Sequence, residues 1–503
     1  MTAANCAAVE LQPPRPDRYE CDVLVVGGGP AGASAGYWLA SSGVNVLVVE
    51  KKHYPREKAC GDGLTPRSVL QLEQMGLAAE LAPHHRYRGL RTHAYGRTIA
   101  MDWPDHPVLP SHGYVITRAD LDGLVAARAE KAGAVIWQGA EAVAPLSASG
   151  SPAAENGPVP VPGGSLLRRA GGAIVSDSAR ATLTEVRARY VIVADGSLSR
   201  FGRALGTGRN RDWPQGMALR GYYRSPRSAE AYIDSFLDIR DASGRVVPGY
   251  GWIFPLGDGR VNVGVGLLST KGRGKHVNTT KLMDDFVAQV PASWCLDPRT
   301  SCGPPTGGRL PMGLGVGPRV GPDSIVIGDA AGVINPFNGE GIAYGYETGR
   351  LAAAAVSDAL TAGEPMLLAA YERSLQDIYG LYYRVARAFI GVLSRPGLMR
   401  ICVNSGMYNR SVMEWLLRIM GNYLRPDELG PAEAVYKAVV ALARQIPEGW
   451  APTPSATSSA ASAAASTVRS MSSRECASDT KAISYGLGAS ATPRASMARK
   501  NGA

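Results

Sequence analysis

The residues able to do chemistry in this 503-residue sequence fall in a few short segments. Gly27, Gly29 and Gly32 stand in the spacing G-x-G-x-x-G, and Glu50 closes the apolar run that follows. In a dinucleotide-binding unit the first such glycine makes a tight turn and the second lets backbone approach a pyrophosphate. The third lets the helix pack closely on its strand, and the later acid accepts hydrogen bonds from a ribose. Cys60 sits in Lys58-Ala-Cys-Gly-Asp-Gly63. Two glycines flanking an acid there make a loop whose backbone can approach a planar ligand, and the thiol titrates in a range that lets it carry a proton. A purely structural Cys60 stands beside that reading.

These residues need a scaffold. Val23 to Val26 is apolar, β-branched and too short for a helix, which predicts a buried parallel strand. Ala31 to Ala40 follows as a helix whose N-terminus, at Pro30 and Ala31, offers free N–H groups to phosphate. Val44 to Val49 is the next strand. Glycine turns are common in a chain with 60 glycines, but strand, turn, helix, strand and acid in this order is the context the motif requires. The Lys and Arg residues after Glu50, Lys51 among them, could face a phosphate; taken alone they read as solvated.

Composition narrows the class. Apolar residues make up 45% and charged residues 19%, a globular balance, and the length suits two to four domains. The net charge of +10 suits an anionic cofactor or membrane surface, and no Lys/Arg run singles out nucleic acid. Seven cysteines without C-x-x-C pairs argue against a metal site or disulfide framework and fit a reducing, cytoplasmic setting. The sequence contains no membrane-length apolar run and shows no secretory signal at its start.

The fingerprint followed by CGDGLTPR resembles the geranylgeranyl reductase family of FAD-dependent oxidoreductases, and within it the bacterial branch that includes actinobacterial menaquinone reductases. The resemblance spans roughly 22–430. It implies an α/β fold: a Rossmann-like FAD-binding domain of the p-hydroxybenzoate hydroxylase type, with an inserted antiparallel-sheet substrate domain and a helical C-terminal region. The expected boundaries are a disordered lead over 1–19, FAD-binding segments 20–215 and 300–365 with a flexible insertion at 147–178, a substrate sheet at 216–299, helices over 366–449 and a disordered tail over 450–503.

The same resemblance assigns roles. Arg118, at the entrance of a helix capped by Thr117, corresponds to an arginine near the FAD, although alone it reads as a surface residue. Cys60 and Gly61 lie by the flavin. Asp195 and Gly196, after the strand Tyr190 to Ala194, close the first half of the site. Gly328 and Asp329 begin the second half, with Asp329 holding the ribityl chain. Gly339, Gly341 and Ile342 bring backbone N–H groups and a helix start to the isoalloxazine ring. Tyr250, Trp252, Phe254 and Pro255 form the family's Y-x-W-x-F-P motif, followed by Gly264 and Gly266, and shape a prenyl pocket. Period-two spacing puts the three rings on one strand face, which by composition alone reads as core.

The implied activity is saturation of an isoprenoid C=C bond, foremost in a menaquinone tail, by hydride from reduced flavin plus a proton from an acid, with Cys60 the first candidate donor. Geranylgeranyl diphosphate or lipid reduction, aromatic hydroxylation or halogenation, and a non-catalytic FAD protein are the alternatives. The chain carries no second G-x-G-x-x-G unit, so electrons come from NAD(P)H or a reduced carrier without a separate nucleotide domain. Leu381 to Leu393, with Arg384 and Arg387 on an apolar helix, reads as packed on the body or as a peripheral membrane contact.

Overall fold

The computed structural model describes residues 15–146, 159–160, 166–269 apart from 212 and 214, 278–393, 397, 400, 406–407, 409–424 and 430–444. The expected lead up to residue 14, most of the 147–178 segment before residue 166, and the tail lie outside the described residues.

One layer is built around Arg18–Val26, where Val23, Leu24 and Val25 have no exposed surface. Residues buried on both faces are what a central parallel strand requires. Val46–Glu50 pairs on one side, Val25 opposite Val48, and Thr182–Val193 on the other, Leu24 opposite Val191. Val135–Gln138 and Ser324–Val326 extend the two flanks, both in parallel. Among these five strands the spatial order is third, second, first, fourth, fifth, so the winding reverses beside the first. That reversal opens a crevice past the strands' carboxyl ends.

The helix Pro30–Ser41 starts in the crevice with proline at its first position and no side chain capping it, so its leading N–H groups stay available. The long helix Ile342–Ala362 lies across it, and the Ser34 hydroxyl donates to the Tyr346 carbonyl at 3.0 Å. Gly349 makes this approach feasible, because a Cβ there would meet the Ala31 carbonyl oxygen at 2.5 Å and the Ala35 nitrogen at 3.0 Å.

The second layer is a seven-stranded sheet in the order Thr306–Pro311, Gln215–Arg224, Arg260–Ser269, Gly249–Pro255, Tyr232–Phe236, Gly89–Ala94, Arg97–Asp102. Its outer face packs Val261, Val263 and Val265 on Phe286 and Met283 of the helix Thr279–Gln289.

Several expected boundaries need correction. Gly89–Ala94, Arg97–Asp102 and Thr306–Pro311 were assigned to the FAD-binding segments but are strands of the second sheet, and Tyr232–Phe236 pairs with Gly89–Ala94 in parallel, so that sheet is not wholly antiparallel. Alternation along a strand tells which face is buried, not which neighbour it finds. The end of the expected flexible insertion, Gly172–Asp177, is a strand of the first sheet between Ala140–Leu146 and Thr182–Val193, its inward side made of Ala173, Val175 and Asp177. The first strand begins at Arg18, inside the expected lead. Just before it, Arg15 pairs with Asp177 at 3.0 Å and covers the Trp137 ring at 5.3 Å. Leu381–Leu393 packs on the body: Tyr382, Tyr383 and Ile390 are buried, and Arg387 donates to the Gly313 carbonyl while stacking 4.0 Å from Trp213.

Gly349→Ala gains about 1 kcal/mol of helix propensity but forces the two helices apart against backbone. The net effect should be a loss of about 1–3 kcal/mol, read from the midpoint of a urea unfolding curve; a raised midpoint would refute the close-packing argument.

Candidate active site

Between the layers lies a cavity of about 840 Å³. Gly27, Gly29, Pro30 and Ala31 line its nucleotide end. Gly27 has φ +104°, and a Cβ there would strike the Ala194 carbonyl carbon at 2.8 Å. Gly32 does not line the cavity; its missing side chain leaves room for the Gly27 carbonyl, which lets the turn close on the helix. Glu50 is buried and accepts from the Gly28 and Lys52 amides at 2.9 and 3.0 Å, and Lys51 stands exposed at the rim.

Arg118 is buried and bidentate on Asp122, both bonds 2.8 Å. Burial opposes its charge, but Asp122 more than restores it, holding the guanidinium pKa well above its ordinary value. Arg56 joins the same carboxylate at 2.9 Å. It is half-buried rather than solvated as its neighbours' charge pattern had suggested, and its Nε makes no hydrogen bond, facing Glu50 at 3.8 Å.

The second half of the site approaches from the other flank. Asp195 takes the Phe201 amide on one oxygen at 2.9 Å, while its other oxygen is buried and unpartnered, as is the Ser199 hydroxyl nearby. Burial raises the Asp195 pKa. Gly196 and Gly328, both at positive φ, make the tight turns there. Lys58 reaches across to Asp329 at 3.6 Å. Gly339 turns at φ +77°, and Gly341 starts the helix Ile342–Ala362 with no capping side chain. Uncapped starts of two helices, three buried polar atoms without a hydrogen bond and a glycine cradle together fit an elongated anionic ligand with hydroxyl groups, as FAD is.

At the cavity's other end three rings stand in a row along Gly249–Pro255: Tyr250 lies 5.8 Å from Trp252, which lies 6.2 Å from Phe254. Pro255 ends the strand outside the cavity lining. Each ring fills space that glycine leaves. A Cβ on Gly264 would meet Trp252 Cε2 at 2.6 Å, one on Gly266 would meet Tyr250 at 3.3 Å, and Cβ atoms on Gly61 and Gly63 would meet Phe254 at 2.9 and 3.0 Å. The glycines after the aromatic motif and those around Cys60 are therefore one packing arrangement. Asn262 locks it, accepting from Trp252 Nε1 at 2.9 Å and donating to the Cys60 carbonyl at 2.9 Å and to Asp62 at 2.8 Å.

Beyond the rings the wall is apolar, with Leu90, Ile233 and Leu237 on one side and Met407, Met413 and Met420 on another. Met413, Leu416, Leu417 and Met420 come from one face of the helix Arg410–Met420. Three acidic groups border this chamber. The Cys60 thiol is pushed up by burial and by Asp62, whose amide donates to its sulfur at 3.3 Å. Asp62, raised to about 6 by burial, accepts from Tyr222 at 2.5 Å. Glu340 is raised by burial to about 7.

Sequence reasoning passed over Asn262 and Glu340, and read Arg56 and Lys58, with the other cations after Glu50, as solvated. Asn262 had left a trace, as a polar residue inside the otherwise apolar Val261 to Leu268.

A Rossmann-type sheet roofed by a second sheet, with a split nucleotide crevice between, defines the class as an FAD-binding oxidoreductase. An FAD-binding domain model matches residues 20–157 and a geranylgeranyl reductase catalytic domain model residues 228–294. The menaquinone reductase of Mycobacterium tuberculosis is 38% identical over 84% of this chain and 97% of its own length. A digeranylgeranylglycerophospholipid reductase of Methanothermobacter thermautotrophicus is 30% identical over 72% and 83%. The crystal structure of a geranylgeranyl bacteriochlorophyll reductase-like protein from Thermoplasma acidophilum shares the fold, with a TM-score of 0.63 at 22% identity, covering 85% of this chain and 96% of that one. This chain belongs to the geranylgeranyl reductase family of FAD-dependent oxidoreductases.

Gly264→Ala should push Trp252 from its slot and break its bond to Asn262, red-shifting tryptophan emission while bound flavin per chain stays near that of wild type. An unchanged spectrum would sink the packing account.

Proposed function

We propose that this chain saturates an isoprenoid double bond in the polyprenyl tail of menaquinone. The observation that carries the reading is an apolar chamber opening directly onto the flavin crevice in a chain that aligns with almost the whole of a menaquinone reductase. When bound, FAD supplies the hydride. The chain's own residues bind, orient and keep water out. Glu50 would take the adenosine ribose, the helix start at Pro30 with Arg118 and Arg56 the pyrophosphate, and Asp329 the ribityl chain. Asp195 and Gly196 would flank the nucleotide, and the Gly339 to Ile342 backbone would face the ring.

An isolated trisubstituted alkene is a poor electrophile, so placement matters more than activation of the substrate. Tyr250, Trp252 and Phe254 form a rigid wall for the chain, and Cys60 is the group proposed to touch the alkene from the loop beneath them. The thioether wall adapts to a long hydrocarbon.

Electrons would arrive from NAD(P)H or a reduced carrier. A polyprenyl quinone is insoluble in water, so the protein would meet it at a membrane surface. Among the described residues no helix is long and apolar enough to cross one, and the positive charge of +10 favours peripheral contact with anionic lipid.

The test is anaerobic: chemically reduced, FAD-loaded protein incubated with menaquinone should yield a product heavier by two hydrogens. No mass gain on any prenyl substrate, or oxygen-dependent hydroxylation instead, would overturn the reading. Trp252→Ala should raise KM for the quinone by about tenfold, equivalent to about 1.4 kcal/mol, with flavin content little changed.

A further inference from the structure

We propose that Glu340 is the proton donor of this reaction, an inference that rests on the reductase reading above. The residue belongs to the loop between Asn335 and Gly341 and lines the cavity. Its backbone is fixed on both sides: its amide donates to the Asn338 side chain at 2.9 Å and its carbonyl accepts from the Asn335 amide at 2.9 Å. Asn335, fully buried, donates in turn to the Tyr344 and Tyr382 hydroxyls, so the loop is held from behind.

The carboxyl itself is asymmetric. Thr65 and Ser68 hydroxyls both donate to Oε1, whereas Oε2 is buried with no partner. An ionised carboxylate would leave that oxygen as a desolvated charge with no donor. A neutral acid is the less costly form here, since Oε1 keeps its two donors and the unpartnered oxygen then carries no charge.

The groups packed around it agree. Arg67, the nearest cation, is committed to Glu347 at 2.6 and 3.2 Å and to the Asn422 carbonyl. Glu347 faces Glu340 as a like charge, and Tyr344, Tyr87 and Tyr423 surround it with neutral phenols. Burial is the largest influence and raises the carboxyl to about 7; Thr65, Arg67 and Asn338 pull it down and Glu347 pushes it up. An acid poised near the working pH transfers its proton most effectively.

The other two acids are worse placed for this role. Cys60 is a weaker acid than a free thiol, because burial and Asp62 both oppose its ionisation. Asp62 has no exposed surface and accepts from Tyr222 and Asn262 on one oxygen, which ties it to the sheet, although its other oxygen, like Glu340 Oε2, makes no hydrogen bond. Both brace the loop that carries the ring-packing glycines.

The step balances. The alkene π pair would take the proton from the Glu340 carboxyl to form one C–H bond, and the adjoining carbon would take the hydride that bound, reduced FAD supplies to form the other. The alkene is reduced by two electrons, the flavin is oxidised by two, and the Glu340 carboxylate left behind is reprotonated from water.

In FAD-loaded full-length protein, Glu340→Gln keeps the shape and the hydroxyl contacts. It should bind flavin and accept electrons from dithionite as wild type does, yet saturate menaquinone about 10²–10⁴-fold more slowly. Independently of turnover, infrared difference spectra should show a protonated-carboxyl stretch in wild type that titrates near pH 7 and is absent from the variant. The wild-type rate should fall as pH rises through that value, and Glu347→Gln, which removes a like charge and frees Arg67, should move the fall to lower pH. Cys60→Ala should keep the fall in place. Glu340→Gln with wild-type turnover, an unaltered carboxyl band, or a rate profile that Glu347→Gln does not move would each overturn the assignment. If wild type itself saturates no prenyl chain, the reductase reading has failed instead.

Discussion

Three rings on one strand occupy room that glycines in three other segments leave vacant, and this steric constraint binds the two layers together. Phe254 leans on the Cys60 loop, Trp252 on the neighbouring strand, and Tyr250 on that strand and on the flavin-facing loop, where its hydroxyl also donates to the Asn338 carbonyl at 3.0 Å. Packed interiors do not deform continuously. The wall proposed to meet substrate and the loops proposed to meet cofactor therefore share one frame, which a reaction that places two carbons against one ring would need.

Charge is distributed to match. Arg56, Arg118 and Lys58 gather at the nucleotide end, where Glu50, Asp122 and Asp329 hold them in fixed positions, and exposed Lys51 adds charge at the rim. The chamber beyond the rings is lined by leucine, isoleucine and methionine. In such surroundings an unpaired ion is expensive and a neutral acid is not, which is why the same burial that stabilises the chamber also sets the protonation of Glu340.

The first strand, its glycine turn and its helix were legible because each is specified locally, by β-branched residues, by spacing and by Pro30. Thr117 was legible as a cap for the same reason, accepting from the Asp120 amide three residues on. The second sheet was only half legible: alternation marked its strands, but Gly89–Ala94 joins it from far upstream, and nothing local announces a partner across that distance. Gly172–Asp177 escaped notice because its apolar run, Ala173 to Val175, is only three residues long and stands in a stretch rich in glycine, serine and alanine. Arg56 and Glu340 were missed for a different reason. Their significance lies in which neighbours satisfy them and which do not, and that is a property of the assembled cavity rather than of any window of sequence.

The thioether wall has a liability that its adaptability conceals. A methionine converted to its sulfoxide becomes polar and stiff, and Met407, Met413 and Met420 all border the space meant for hydrocarbon. Oxidative wear in this protein would blunt its grip on lipid while leaving it fully yellow, so colour is a poor gauge of an aged preparation's competence.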